Sequence, residues 1–151
     1  MILSLSISTP RLLNECISQT SFDFQALRAR NGESANAVYD DWVMNIDNRD
    51  DIYFPLQEAG ADMYNVLHTL LHSFSAGKDI IRIDICAARE GLADAVESLM
   101  RQFFKYRLLT WWYAYRDADL AANYAQRAAS ALNNIFDYCV PRTGTKQPRY
   151  F

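Results

Sequence analysis

His68 and His72 stand four residues apart. On an α-helix that spacing puts both imidazoles on one face, where they could hold zinc. In the HExxH pattern a glutamate follows the first histidine and supplies the general base. Here the run is His68-Thr-Leu-Leu-His72, without that glutamate. Two surface histidines are therefore expected, and a metal-dependent enzyme using them is kept only as an alternative. Asp47, Asp50 and Asp51 form a second group, with Asn48 among them. A calcium loop of the EF-hand type needs Gly at its sixth position and Glu at its twelfth. Counting from Asp47, Glu58 falls at the twelfth, but Ile52 occupies the sixth and Arg49 intrudes. An acidic, solvated loop is the expectation.

Nucleophilic catalysis needs a base beside the nucleophile and a third group to orient it. Neither histidine lies near such a set, and the chain has no GxSxG, no GxGxxG and no phosphate loop. Cys16, Cys86 and Cys139 are far apart, odd in number and without a CxxC pair. They read as free thiols of a reducing compartment, packed as small hydrophobes. No catalytic residue, cofactor or metal is expected. Arg101, Lys105, Arg107 and Arg116 are interleaved with aromatics, and Arg142, Lys146 and Arg149 follow; such residues contact and stack on nucleic acid. The chain is acidic overall, at −3, whereas a dedicated binder is basic. Nucleic acid is not expected as an autonomous ligand.

These residues need a scaffold. The 151 residues are 50% hydrophobic and 13% aromatic, enough for one domain with its own core. No apolar run reaches the roughly 18 residues that would span a bilayer, and MILSLSISTPR lacks the basic start of a secretory signal. No membrane association is expected. Residues 2–8 alternate apolar with serine, as in a half-buried strand. Thr9-Pro10 then opens a short helix with Leu13, Cys16 and Ile17 inward. Residues 20–33 carry no clear period. Ala35, Val38, Tyr39, Trp42, Val43 and Ile46 have helical spacing. Leu56, Ala59, Met63, Val66, Leu67, Leu70 and Phe74 predict an amphipathic helix over 56–74, with Gly77 just past its end. Ile81-Arg-Ile-Asp-Ile85 alternates strictly and predicts a strand, with a small two-stranded element formed by about 2–8 and 80–85.

A long helix is predicted over about 89–115, apolar nearly all round from Phe103 to Tyr115. Such a segment lies at the centre of a bundle or in an interface. Asp117 and Asp119 open a last helix, and Pro141 ends it. The fold class is mainly α: a helical bundle around a long aromatic-rich helix, as a single domain over 1–140. Residues 141–151 form a flexible basic and aromatic tail. Charge is uneven along this chain. Residues 1–100 hold 7 Lys/Arg and 15 Asp/Glu, a net −8, while residues 101–151 hold 8 and 3, a net +5. A split of that kind concerns association, and acidic and basic ends can meet in neighbouring copies.

Over roughly residues 55–151 the order of parts resembles the head–tail connector (adaptor) proteins of tailed bacteriophages and prophages. The resemblance rests on the helix 56–74, the long helix ending Tyr106-Arg-Leu-Leu-Thr-Trp-Trp-Tyr-Ala-Tyr-Arg116, the helix from Asp119, and the basic extension. It implies a non-enzymatic virion structural protein that forms a ring under the portal, located in the host cytoplasm or the virion. Its partners would be copies of itself and the portal or other virion proteins. The candidate interface is Trp111, Trp112, Tyr115, Arg116, Arg142, Lys146, Arg149, Tyr150 and Phe151. The alternative is a small intracellular helical module for protein interaction or regulation.

Overall fold

A computed structural model describes residues 1–31, 42–88 and 90–140. The element order is β1 (Ile2–Ser8), α1 (Thr9–Asn31), a 3-10 turn (Ile46–Arg49), α2 (Tyr53–Leu67), β2 (Leu71–Ala76), β3 (Ile80–Cys86), a second 3-10 turn (Glu90–Leu92), α3 (Ala93–Tyr113) and α4 (Ala118–Cys139). The fold is mainly helical, with one small antiparallel sheet. The tail 141–151 lies outside the described residues.

The sheet follows from the period-two patterns. β1 buries Leu3, Leu5 and Ile7, and β3 buries Ile81, Ile83 and Ile85. They pair antiparallel in the register Ile2↔Cys86 to Ser8↔Ile80. This arrangement buries one apolar face and leaves the serines outside. The sheet has three strands in the order β1-β3-β2, so the expected two-stranded element is incomplete.

The third strand corrects the helix predicted over 56–74. α2 ends at Leu67, and Leu71–Ala76 pairs antiparallel with β3, with a bulge between Leu71 and Ser73. Leu56, Ala59, Met63 and Leu67 do form the buried helical stripe. Val66 is 41% exposed. Leu70 and Phe74 fit the helical period by spacing, but Thr69, Ser73 and Ser75 around them are weak helix formers. The free edge of β3 offers backbone partners that a longer helix would leave unpaired. Gly77 accordingly lies in the β2–β3 turn, its N–H donating to the Ile80 carbonyl at 3.0 Å, and is not a helix cap.

α1 is longer than the short helix expected and runs through the unassigned stretch to Asn31. Its buried residues Thr9, Leu12, Cys16, Thr20, Asp23 and Leu27 keep a three-to-four spacing, with Leu13 beside them and three polar members. The helical pattern expected over 35–46 falls largely on 32–41, outside the described residues. Its described end departs from it: residues 43–45 are irregular, and Ile46 is 69% exposed.

α3 is the central element and contacts α1, α2, α4 and β1. It buries Phe103, Phe104, Leu108, Leu109, Trp112 and Tyr113. α4 lies along it. The Asp117 side chain caps α4, accepting from the N–H groups of Asp119 at 3.0 Å and Leu120 at 3.1 Å. The inward face of α4 holds Tyr124, Ala128, Ala131, Leu132, Ile135 and Cys139. Its small alanines allow the helix to approach the aromatic face of α3 closely.

Candidate functional site

The corner between α3 and α4 holds four of the nine expected interface residues. Trp112 is only 6% exposed, and its Nε1–H donates to the Trp42 carbonyl at 2.6 Å. The Arg116 guanidinium lies over the Trp112 ring, 3.8 Å from its centroid, and donates to the Trp112 carbonyl at 2.6 Å. Here a cation meets both an aromatic face and the negative end of a helix. Trp112 and Arg116 thus brace the corner from within. Trp111 is half-buried against the core. Of the four, Tyr115 alone projects freely, at 99% exposure. The backbone holds it there: the N–H groups of Arg116 and Asp117 both donate to the Tyr113 carbonyl, at 3.0 and 2.9 Å. Arg142, Lys146, Arg149, Tyr150 and Phe151 lie outside the described residues.

The basic residues of α3 are engaged within the chain. Arg101 lies 3.7 Å from Glu15 and 3.9 Å from Glu97. Glu15 Oε2 is in ion-pair range of Arg11 and Arg101 but makes no hydrogen bond, so these contacts are Coulombic only. Arg107 pairs with Asp62. The Lys105 ammonium is 5.7 Å from the Tyr106 ring centroid. Part of the charge split along the sequence is therefore resolved inside one molecule, where C-terminal cations meet N-terminal acids. Exposed pairs of this kind stabilise by only about 0–1 kcal/mol.

The acidic loop is a built turn. Asn45 accepts from the Asp47 N–H at 2.8 Å, and the Asn45 N–H donates to the Asn48 side chain at 2.9 Å. Asn48 Nδ2 in turn donates to Asp51 at 3.1 Å. Asp47, Asp50 and Asp51 are exposed, as expected, and Glu58 is exposed on α2. His68 and His72 do not share a helix face, because α2 ends between them: His68 is its C-cap and His72 lies in β2. Both are exposed. Among the described residues no group of three or more His, Cys, Asp or Glu side chains is placed to hold a metal.

Cys16 and Cys139 are buried, and Cys86 is partly so. Burial pushes the Cys16 thiol up to about 12, against opposition from the nearby Lys105. Burial also raises Cys139. Both remain protonated near neutrality and pack as hydrophobes, as expected.

The cluster that sequence reasoning missed centres on Asp23, which is 8% exposed. Its Oδ2 accepts from Tyr124 at 2.6 Å and from Tyr113 at 3.0 Å. Its Oδ1 accepts from Gln19 at 3.1 Å. Burial, with the Asp23 carboxylate next, lifts both phenols above the usual tyrosine range. They therefore stay protonated and keep donating, and the cluster ties α1 to α3 and α4. A signal existed in the sequence: Asp23 continues the inward spacing of Leu13, Cys16 and Thr20.

No helix among the described residues is long and apolar enough to cross a membrane. The chain matches no family model, no curated protein and no solved structure. The site therefore rests on its own geometry.

Proposed function

We propose that the chain is a non-enzymatic assembly protein, a subunit packing head to tail with its own copies like the connector rings its sequence resembles. The observation that carries this reading is the acidic turn. Asp47, Asp50 and Asp51 are exposed on a turn fixed by reciprocal side-chain caps, and none has a cationic partner among the described residues. Residues 142–149 bring Arg142, Lys146 and Arg149 with no acid. Tyr150, Phe151 and the projecting Tyr115 add aromatic anchors, a residue type that dominates interface energetics. Head-to-tail contacts close into a ring when the rotation permits. The portal or another virion protein is the second partner in this reading, which places the chain in the host cytoplasm or the virion.

Sedimentation velocity and negative-stain microscopy test this, using the full chain and a chain lacking 142–151. We expect ring-shaped oligomers of the full chain at low salt. They should dissociate toward roughly 1 M salt, where charges are screened beyond about 3 Å. The truncated chain should melt like the parent but fail to assemble. A full chain that stays monomeric at low salt, or a truncated chain that assembles as well, overturns the proposal.

A further inference from the structure

One side of α2 carries a stripe that the core does not use. Phe54, Gln57, Ala61 and Tyr64 recur at helical spacing. Phe54 and Tyr64 are 66% and 57% exposed. Toward the end of α2 the stripe borders a groove between α2 and β2, about 350 Å³ in volume, an ordinary size for a pocket. Ala61, Tyr64, Leu71 and Phe74 give it an apolar lining. All four present surface to solvent: Ala61 and Tyr64 are exposed, and Leu71 and Phe74 are half-buried.

The groove is formed before anything docks. Gly60 has no side chain, and the Phe74 ring occupies the space a methyl group there would need. That ring stacks on Phe104 at 6.1 Å between centroids. Gln57 Nε2 donates to the Ala76 carbonyl at 2.9 Å and ties the helix to the strand.

We propose that this groove seats Tyr150 and Phe151 of a neighbouring copy. The inference rests on the head-to-tail reading above and names the seat of its aromatic anchors. Reach is the first argument. The acidic turn leads directly into α2, and Asp51 stands ten residues before Ala61, about 15 Å along a helix. Lys146 stands four and five residues before Tyr150 and Phe151, about 13–17 Å of extended chain. A tail with Lys146 at the acidic turn therefore brings its two aromatics level with the groove. Charge is the second argument. Glu58 is exposed on α2 between the turn and the groove, with no cationic partner among the described residues. Arg149, next to the two aromatics, meets an acid there. The exposed Phe22 of α1 offers no such match, because Arg11 and Lys105 beside it outnumber Glu15 and repel a basic tail. In the groove the incoming rings meet Tyr64 and Phe74, and aromatic pairs gain beyond the area they bury.

Photo-crosslinking of the full chain reads the seat directly. Tyr150 or Phe151 is replaced by p-benzoylphenylalanine, and the chain is mixed with heavy-nitrogen-labelled chain at low salt and irradiated. Mass spectrometry should find cross-links to the segments 57–64 or 71–74, joining labelled to unlabelled copies. Tyr64→Ala and Ala61→Gln change exposed positions, so both should melt like the parent, and each should weaken assembly in sedimentation about 10-fold. Phe22→Ala should leave assembly unchanged. Cross-links that fall elsewhere, fall only within one copy or do not form overturn the proposal. So does assembly unmoved by Tyr64→Ala, or weakened equally by Phe22→Ala. Low-salt oligomers whose cross-links avoid the groove would remove this seat and leave the assembly reading standing; a chain that stays monomeric removes both.

Discussion

Tyr124 donates a 2.6 Å hydrogen bond to Asp23 across 101 positions of sequence, and Tyr113 shares the same oxygen. One carboxylate thus holds the two ends of the helical body together. Replacing either tyrosine with phenylalanine should cost about 1–2 kcal/mol, a hydrogen bond to a charged group. Asp23→Ala should cost more, about 2–4 kcal/mol, because it strands two buried phenols at once. The Asp23→Ala/Tyr124→Phe double variant should lose less than the sum of its single changes. Urea unfolding measures all of these. Single changes within about 0.5 kcal/mol of the parent would show that the cluster is not a structural tie.

The same two phenols set an alkaline limit. Their folded-state values are raised above the ordinary 10.0. Below about pH 10 both states hold the proton, and this contribution to stability is fully present. As pH rises past 10 the unfolded phenols ionise first, so the unfolded state is favoured and stability falls. Chemical unfolding between pH 8 and 11.5 should show this decline beginning near the ordinary value. The Tyr113→Phe/Tyr124→Phe variant should flatten it; an equally steep decline in that variant would assign the alkaline loss elsewhere.

Gly60 marks where α2 meets β2. A methyl group there would overlap the edge of the Phe74 ring, which is itself stacked on Phe104 at 6.1 Å between centroids. In an ordinary helix interior Gly→Ala stabilises by about 1 kcal/mol. Here Gly60→Ala should instead destabilise by about 1–3 kcal/mol, the usual range for overpacking. Adding Phe74→Leu should recover part of that loss. Thermal melts of the two variants read the sign directly.

His68→Ala/His72→Ala should change stability by no more than about 0.5 kcal/mol, as exposed sites do. Metal analysis of the purified parent should find no stoichiometric zinc. Zinc at one equivalent that disappears in the double variant would restore the metal reading of this pair.

Much of the fold is legible in single segments. β1 and β3 alternate strictly, and the apolar sets of α3 and α4 recur at helical spacing for about twenty residues each, so local period fixes their type. Asp117 marks the start of α4 by capping chemistry that needs no tertiary partner, and a proline in the sequence two positions past Cys139 forbids its continuation. The exposed histidines and the acidic turn were also readable, because polar residues in short polar runs have little else to do.

Tertiary structure decided the remainder, and each case turns on a distant partner. Leu67, Leu70 and Phe74 fit a helix by spacing; only the open edge of β3, pairing Leu71 with Ile85 and Ala76 with Ile81, makes their second part a strand. That Trp112 donates to the Trp42 carbonyl and Arg116 stacks on the Trp112 ring is set only by folding. Arg101 and Arg107 read as surplus positive charge until Glu15 and Asp62 came within reach. Asp23 is a single polar residue whose role depends on phenols 90 and 101 positions away. The sequence by itself determined the elements that repeat, because periodicity is a property of neighbours. It left open who meets whom, because pairing, stacking and burial are settled between residues that only folding brings together.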